Sequence, residues 1–187
     1  MESLPDTGRC PRSDPSIMIL IMSAFEPSQY GPVFAPLLSG DRRRPLDAGR
    51  PNKAALAALE KLSVESAFAH THVVDRQMAE CCRAGVWLLH DYLDESHRIS
   101  QNIETNSGSF WHAIMHRREG DFSNAKYWYA RCREHPVRKT VGDANAFVDL
   151  VSRVHDKLDD PRFAEAVRTQ KAEWQALFEY CLREAVG

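Results

Sequence analysis

Proline divides this chain into two parts that cannot fold alike. Eight of its ten prolines (Pro5, Pro11, Pro15, Pro27, Pro32, Pro36, Pro45 and Pro51) fall within residues 1–51. Each fixes φ, removes a backbone donor and turns its predecessor away from the helical region. Residues 1–51 are therefore expected to form a largely irregular arm. The apolar run IMILIM at residues 17–22 suits a short strand or a docked extended segment, and Met18 and Met22 also allow a later start codon. Arg42, Arg43 and Arg44 read as a solvated basic loop.

From residue 52 the pattern is helical. Asn52 is a candidate cap for a short helix to about Leu62. Met78, Cys81, Cys82, Gly85, Leu88, Leu89, Tyr92, Leu93 and Ile99 recur at helical spacing, which predicts one long helix over residues 75–100. Residues 104–108 (ETNSG) read as a loop, with Ser109 capping a third helix to Glu119. Gly120 and Asp121 then stop that helix and cap a fourth to about Cys132, before Pro136. Two more are expected at residues 143–158 and 161–185, with Pro161 in a favoured first turn. No alternating strand pattern follows residue 51. The expected fold is all-α, a single-domain bundle of five or six helices at residues 52–187.

Composition narrows the function classes. A net charge of −2 argues against general polyanion binding, which needs an excess of Lys and Arg. The five cysteines form neither a disulfide pattern nor a CxxC knuckle and suit a reducing, cytoplasmic setting. IMILIM is too short to span a membrane.

The chemistry concentrates in two stripes, His90-x3-Asp94-x2-His97 and His112-x3-His116-x2-Glu119. On a helix, spacings of i, i+4 and i+7 bring three side chains within roughly 60° of arc. Facing stripes would enclose a polar site whose imidazoles and carboxylates suit a divalent metal such as Zn, Mn or Fe. The spacing matches neither the metalloprotease motif nor the Glu-x-x-His pairs of di-iron bundles. On this reading His90, Asp94, His97, His112 and His116 are the candidate ligands, and Glu119 is a ligand or base. Arg117 and Arg118 would steady a small anionic substrate. The competing reading makes the same residues a hydrogen-bonded network between packed helices, with both arginines paired to the preceding acidic helix.

Aromatic residues Phe110, Trp111, Phe122, Tyr127, Trp128 and Tyr129 lie among seven Lys or Arg. Single-stranded nucleic-acid binding would require Trp111 and Trp128 to be exposed; the spacing places most of these large rings at positions a helix would bury. Neither Cys81 nor Cys82 nor Ser109 sits in a nucleophile motif, and no Gly-rich phosphate loop occurs.

Gly120-Asp121-Phe122-x2-Ala125-x3-Tyr129-x2-Cys132 resembles the turn and second helix of a tetratricopeptide repeat, over about half of one repeat. The resemblance implies a helical hairpin of the kind used in protein interaction, although His112 and His116 stand where that family carries core Leu and aromatic residues. More broadly, LLHDYLDESHRISQ and GSFWHAIMHRREGDFSNAKYWYARCREHP look like a stretch found in a family of uncharacterised microbial proteins, spanning about residues 65–137. That likeness implies a self-contained fold and no particular activity.

Overall fold

A computed structural model describes residues 25–41 and 43–187. The apolar run at 17–22, both candidate start methionines and Arg42 lie outside the described residues. Among those described, all regular structure is helical, with no strand. There are nine helices: α1 (Gly31–Leu38), α2 (Leu56–Leu59), α3 (Val64–Ala67), α4 (Arg76–Leu89), α5 (Leu93–Ser100), α6 (Asn106–Glu119), α7 (Phe122–Arg131), α8 (Ala144–Val154) and α9 (Pro161–Val186). Five have ten residues or more, and four short ones raise the count above the expected five or six.

The arm corrects one expectation. Despite its prolines, residues 27–30 form a 3-10 turn that leads into α1. Pro32 stands at the start of α1, where a missing N–H costs nothing, and only Pro36 lies inside it. Phe34, Leu37 and Leu38 are buried from that helix. At about 1.5–3 kcal/mol each, their burial outweighs the roughly 3 kcal/mol cost of an internal proline. Leu46 is buried too, in a smaller cluster with Phe147, Val151, Val154 and Ala166 of α8 and α9.

The expected helix over 75–100 is two helices. Asp91 adopts left-handed backbone geometry (φ 63). Tyr92 N–H donates to Trp87 O (3.1 Å) and Asp91 N–H to Leu88 O (3.2 Å). This is a Schellman turn, completed by Trp87 against Tyr92, with ring centroids 5.4 Å apart. Side chains elsewhere hold the break open: Asp91 reaches two arginines, and His90 bonds Leu37 O and Asn52. The turn folds α5 back along α4 and against α6.

Helix α6 is the centre of the molecule, buried at every position from Ser107 to Arg118. Gly85 of α4 lets Trp111 approach closely, since a Cβ there would stand 2.7 Å from the ring. Trp174 of the long α9 donates to Gly85 O (2.9 Å) across the same contact. The start of α6 also differs from expectation. Thr105 is its cap, accepting from Gly108 N–H (3.1 Å), and Gly108 lies in the first turn because a Cβ there would stand 2.3 Å from Ile103 O. At the other end Gly120 (φ 89) forms a second Schellman turn, and Asp121 caps α7 through Asn124 N–H (3.0 Å).

Candidate metal centre

His112 and His116 are one turn apart on α6, and their rings stack at 4.7 Å and 17°. The break at Asp91 brings α5 alongside, so His97 meets both rings edge-on, at 4.6 Å from His112 and 5.3 Å from His116. One nitrogen from each of the three imidazoles lies within 4.8 Å of the others. Trp128 of α7 covers the outer face of the cluster, its ring 4.0 Å from His112 and nearly parallel to it.

The electrostatics keep His112 neutral. Burial lowers the His112 value from 6.5 to about 3, and His116 and His97 beside it push in the same direction. A neutral imidazole is the form that binds metal. His112 Nδ1 is buried and has no hydrogen-bond partner among the described residues. Its neighbour is better supplied. His116 Nδ1 lies 2.9 Å from Glu119 Oε1, and Asn124 Nδ2 stands 3.0 Å from Nε2. Glu119 and Asp121 form a second possible donor group with His116. Zinc–nitrogen bonds of about 2.0–2.1 Å hold tetrahedral ligands roughly 3.3 Å apart, so binding an ion would rotate the rings inward and displace Asn124.

The remaining residues of the two stripes lie elsewhere. His90 is not near the cluster: its ring nitrogens bond Leu37 O (2.9 Å) and Asn52 Nδ2 (3.0 Å), tying α4 to the N-terminal segment. Asp94 is exposed on α5 and outside the cluster. Both were expected to be ligands; the Schellman turn separates His90 from α5, and Asp94, on the same helix as His97, is on its exposed side.

Arg117 and Arg118 also turn from the site into the core. Arg117 is fully buried, donates to Glu173 Oε2 (2.6 Å) and to Tyr129 Oη, and stacks over Phe147 at 4.6 Å. Burial opposes its charge, but Glu173 and Tyr129 outweigh it and hold the guanidinium above its ordinary value. Arg118 donates to Asp91 (2.6 Å), Leu88 O (2.9 Å), Asp47 O (3.1 Å) and Ala48 O (3.2 Å). For Arg118, Asp91 belongs to the preceding acidic stretch with which the competing reading pairs both arginines, whereas Glu173, the partner of Arg117, lies 56 residues away in sequence and gave no local signal.

A buried serine–histidine contact has the wrong polarity for catalysis. Ser107 Oγ is 3.0 Å from His135 Nε2, but His135 Nδ1 accepts from Val137 N–H (3.2 Å). The ring proton is therefore on Nε2 and points at the serine, so the histidine cannot take the hydroxyl proton. Burial lowers His135 to about 4, with Arg138 adding to the effect. A hydrogen bond with Cys181 and burial raise Cys81, and burial and the Cys181 thiol raise Cys82, well above the ordinary thiol value, which removes them as nucleophiles. Trp111 is fully buried, contrary to what base stacking would need. Asn124 and Trp128, one turn apart on α7, complete the site. The aromatic–basic pattern contained Trp128, but nothing in the sequence marked Asn124.

Among the described residues no helix is long and apolar enough to cross a membrane. Comparison with protein-family models, with curated proteins and with solved structures finds no match to this chain.

Proposed function

We propose that the protein binds a divalent ion of the Zn, Mn or Fe class through His97, His112 and His116, and uses it on a small anionic substrate. The observation that carries this reading is the buried, partnerless Nδ1 of His112 inside a cluster of three imidazoles. A purely structural network normally satisfies such an atom, because an unpaired buried acceptor costs about 1–3 kcal/mol. Three protein ligands from two helices leave a coordination position open, as in catalytic rather than structural zinc sites. A bound ion would activate water for hydrolysis, or support oxidation if it is iron.

In this proposal Glu119 acts through His116: its carboxylate accepts the hydrogen bond from Nδ1–H, which fixes the tautomer and presents Nε2 to the ion. Asp121, capped into the adjacent turn, is an alternative carboxylate donor. Arg117 and Arg118 stabilise the scaffold rather than the substrate. Arg131, stacked over Trp128 at 5.3 Å, takes over the charge-stabilising role. Free, buried Cys81, Cys82, Cys132 and Cys181 support a reducing, cytoplasmic setting.

A second reading is a tetratricopeptide-like module that binds a protein partner without catalysis. It is favoured by the Trp128–His112 stack, which locks α6 to α7 as a hairpin core would. Elemental mass spectrometry on untagged protein purified without chelator separates the two. The metal reading expects close to one ion per chain in wild type, and its loss in His112→Ala/His116→Ala and in the milder His97→Ala. Metal-free wild type, with a large fall in thermal stability for the double variant, would favour the module.

A further inference from the structure

Among the described residues between α1 and α2, 39–41 and 43–52 have no regular structure, yet five consecutive ones are held from inside the protein. Gln170 Nε2 of α9 donates to the carbonyls of Arg44 (3.2 Å) and Pro45 (2.9 Å). Leu46 is buried. Arg118 then donates through Nε to Asp47 O (3.1 Å) and through Nη2 to Ala48 O (3.2 Å). Gln170 and Arg118 are both buried. A loop fixed in this way by buried side chains is preorganised, and preorganisation is what a ligand site on a loop requires.

On its outer side this loop borders a cavity of about 380 Å³, lined by Arg44, Pro45, Asp47, Gly49, Arg50 and Asp91. That volume falls within the range of roughly 300–1,000 Å³ used for small-molecule sites. Gly49 is required at the wall: its φ is +71, and a Cβ would stand 2.7 Å from the Asp91 carboxyl. The Asp91 side chain is fully buried and its charge is balanced by the buried Arg118, so the charges a ligand would meet are those of Arg44, Arg50 and the exposed Asp47. The charge it meets is net positive by one.

The two cations have donors to spare. Arg44 commits Nε and Nη2 to Asp91, which fixes its fork while Nη1 makes no hydrogen bond among the described residues. Arg50 is exposed and has neither a hydrogen bond nor an ion pair among the described residues. Planar guanidinium donors match oxyanions, and a fork already fixed by one carboxylate loses little freedom on binding a second anion.

We propose that this cavity is a second site, independent of the histidine cluster, which binds a small molecule through an oxyanion group held between Arg44 and Arg50. Phosphate and carboxylate share the recognition chemistry, and the probes distinguish them. Isothermal titration of the full chain, chelator-treated and at ionic strength matched with sodium chloride, would use inorganic phosphate and acetate in turn.

The expected result is saturable binding of at least one probe at one site per chain. Arg50→Ala should weaken it about tenfold, as the loss of one charge-assisted hydrogen bond implies, with the thermal midpoint unchanged. Arg44→Lys, which keeps the charge and loses the fork, should also bind more weakly. Phosphate alone would assign a phosphoryl ligand, and acetate alone a carboxylate. No saturable binding beyond chloride, or wild-type affinity in Arg50→Ala, would overturn the proposal. Binding abolished by His112→Ala/His116→Ala and kept by Arg50→Ala would also overturn it, by moving the anion to the metal centre.

Discussion

At the scale of single residues, Asp91 shows how one side chain serves two demands. The Schellman turn that ends α4 favours glycine at this left-handed position, because a Cβ there is strained. Aspartate is present because its carboxylate neutralises the buried Arg118 and the half-buried Arg44. Removing one partner of a buried pair typically costs about 3–5 kcal/mol, more than the strain that glycine would relieve. Asp91→Gly should therefore lower stability by roughly that amount even though the backbone turn is easier to form. Urea denaturation checks this, and a midpoint equal to wild type would mean that Arg118 is satisfied by its three carbonyl contacts alone. The arginines that the sequence offered as substrate ligands are thus scaffold residues. Their role was not readable locally, because Glu173 and the Asp47 and Ala48 carbonyls come from distant parts of the chain.

At the scale of elements, α6 explains why composition misplaced a helix start. Asn, Ser and Gly at 106–108 are turn formers in isolation, and helix was expected only from Ser109. The helix begins earlier because Thr105 caps it and Gly108 is required for contact with Ile103. Every position from 107 to 118 is buried, so tertiary packing overrides weak local propensity. Thr105→Ala should cost about 1 kcal/mol, the usual effect of losing a side-chain cap. The same experiment on Ser109→Ala tests the original expectation: Ser109 is not the cap, so any loss there would not be a capping effect. Thermal denaturation of both variants measures the difference. The C-terminal end of α6 was readable, because Gly followed by Asp specifies a stop and a new cap without help from the rest of the fold.

For the whole molecule, the buried neutral histidines make stability depend on pH. His135 titrates near 4 in the folded chain and near 6.5 when unfolded. Above about 6.5 neither state takes the proton and the full stability is present; as pH falls toward 4 the unfolded state takes it first and stability is lost. By pH 5 this amounts to about 2 kcal/mol. Denaturation of chelator-treated wild type and His135→Gln at pH 7 and pH 5 should show the wild type losing that much more. Equal losses would place the titration elsewhere. What the sequence determined by itself were the features set by neighbours along the chain: the all-α class, the Gly120–Asp121 turn, the first turn at Pro161 and the pairing of His112 with His116. The tertiary structure alone decided that α1 forms despite its prolines, that the helix breaks at Asp91, that His97 joins the cluster while His90 and Asp94 do not, and that both arginines face inward. Local spacing fixes which side chains share a face of a helix; which faces meet is set by burial and charge pairing between residues far apart in the chain.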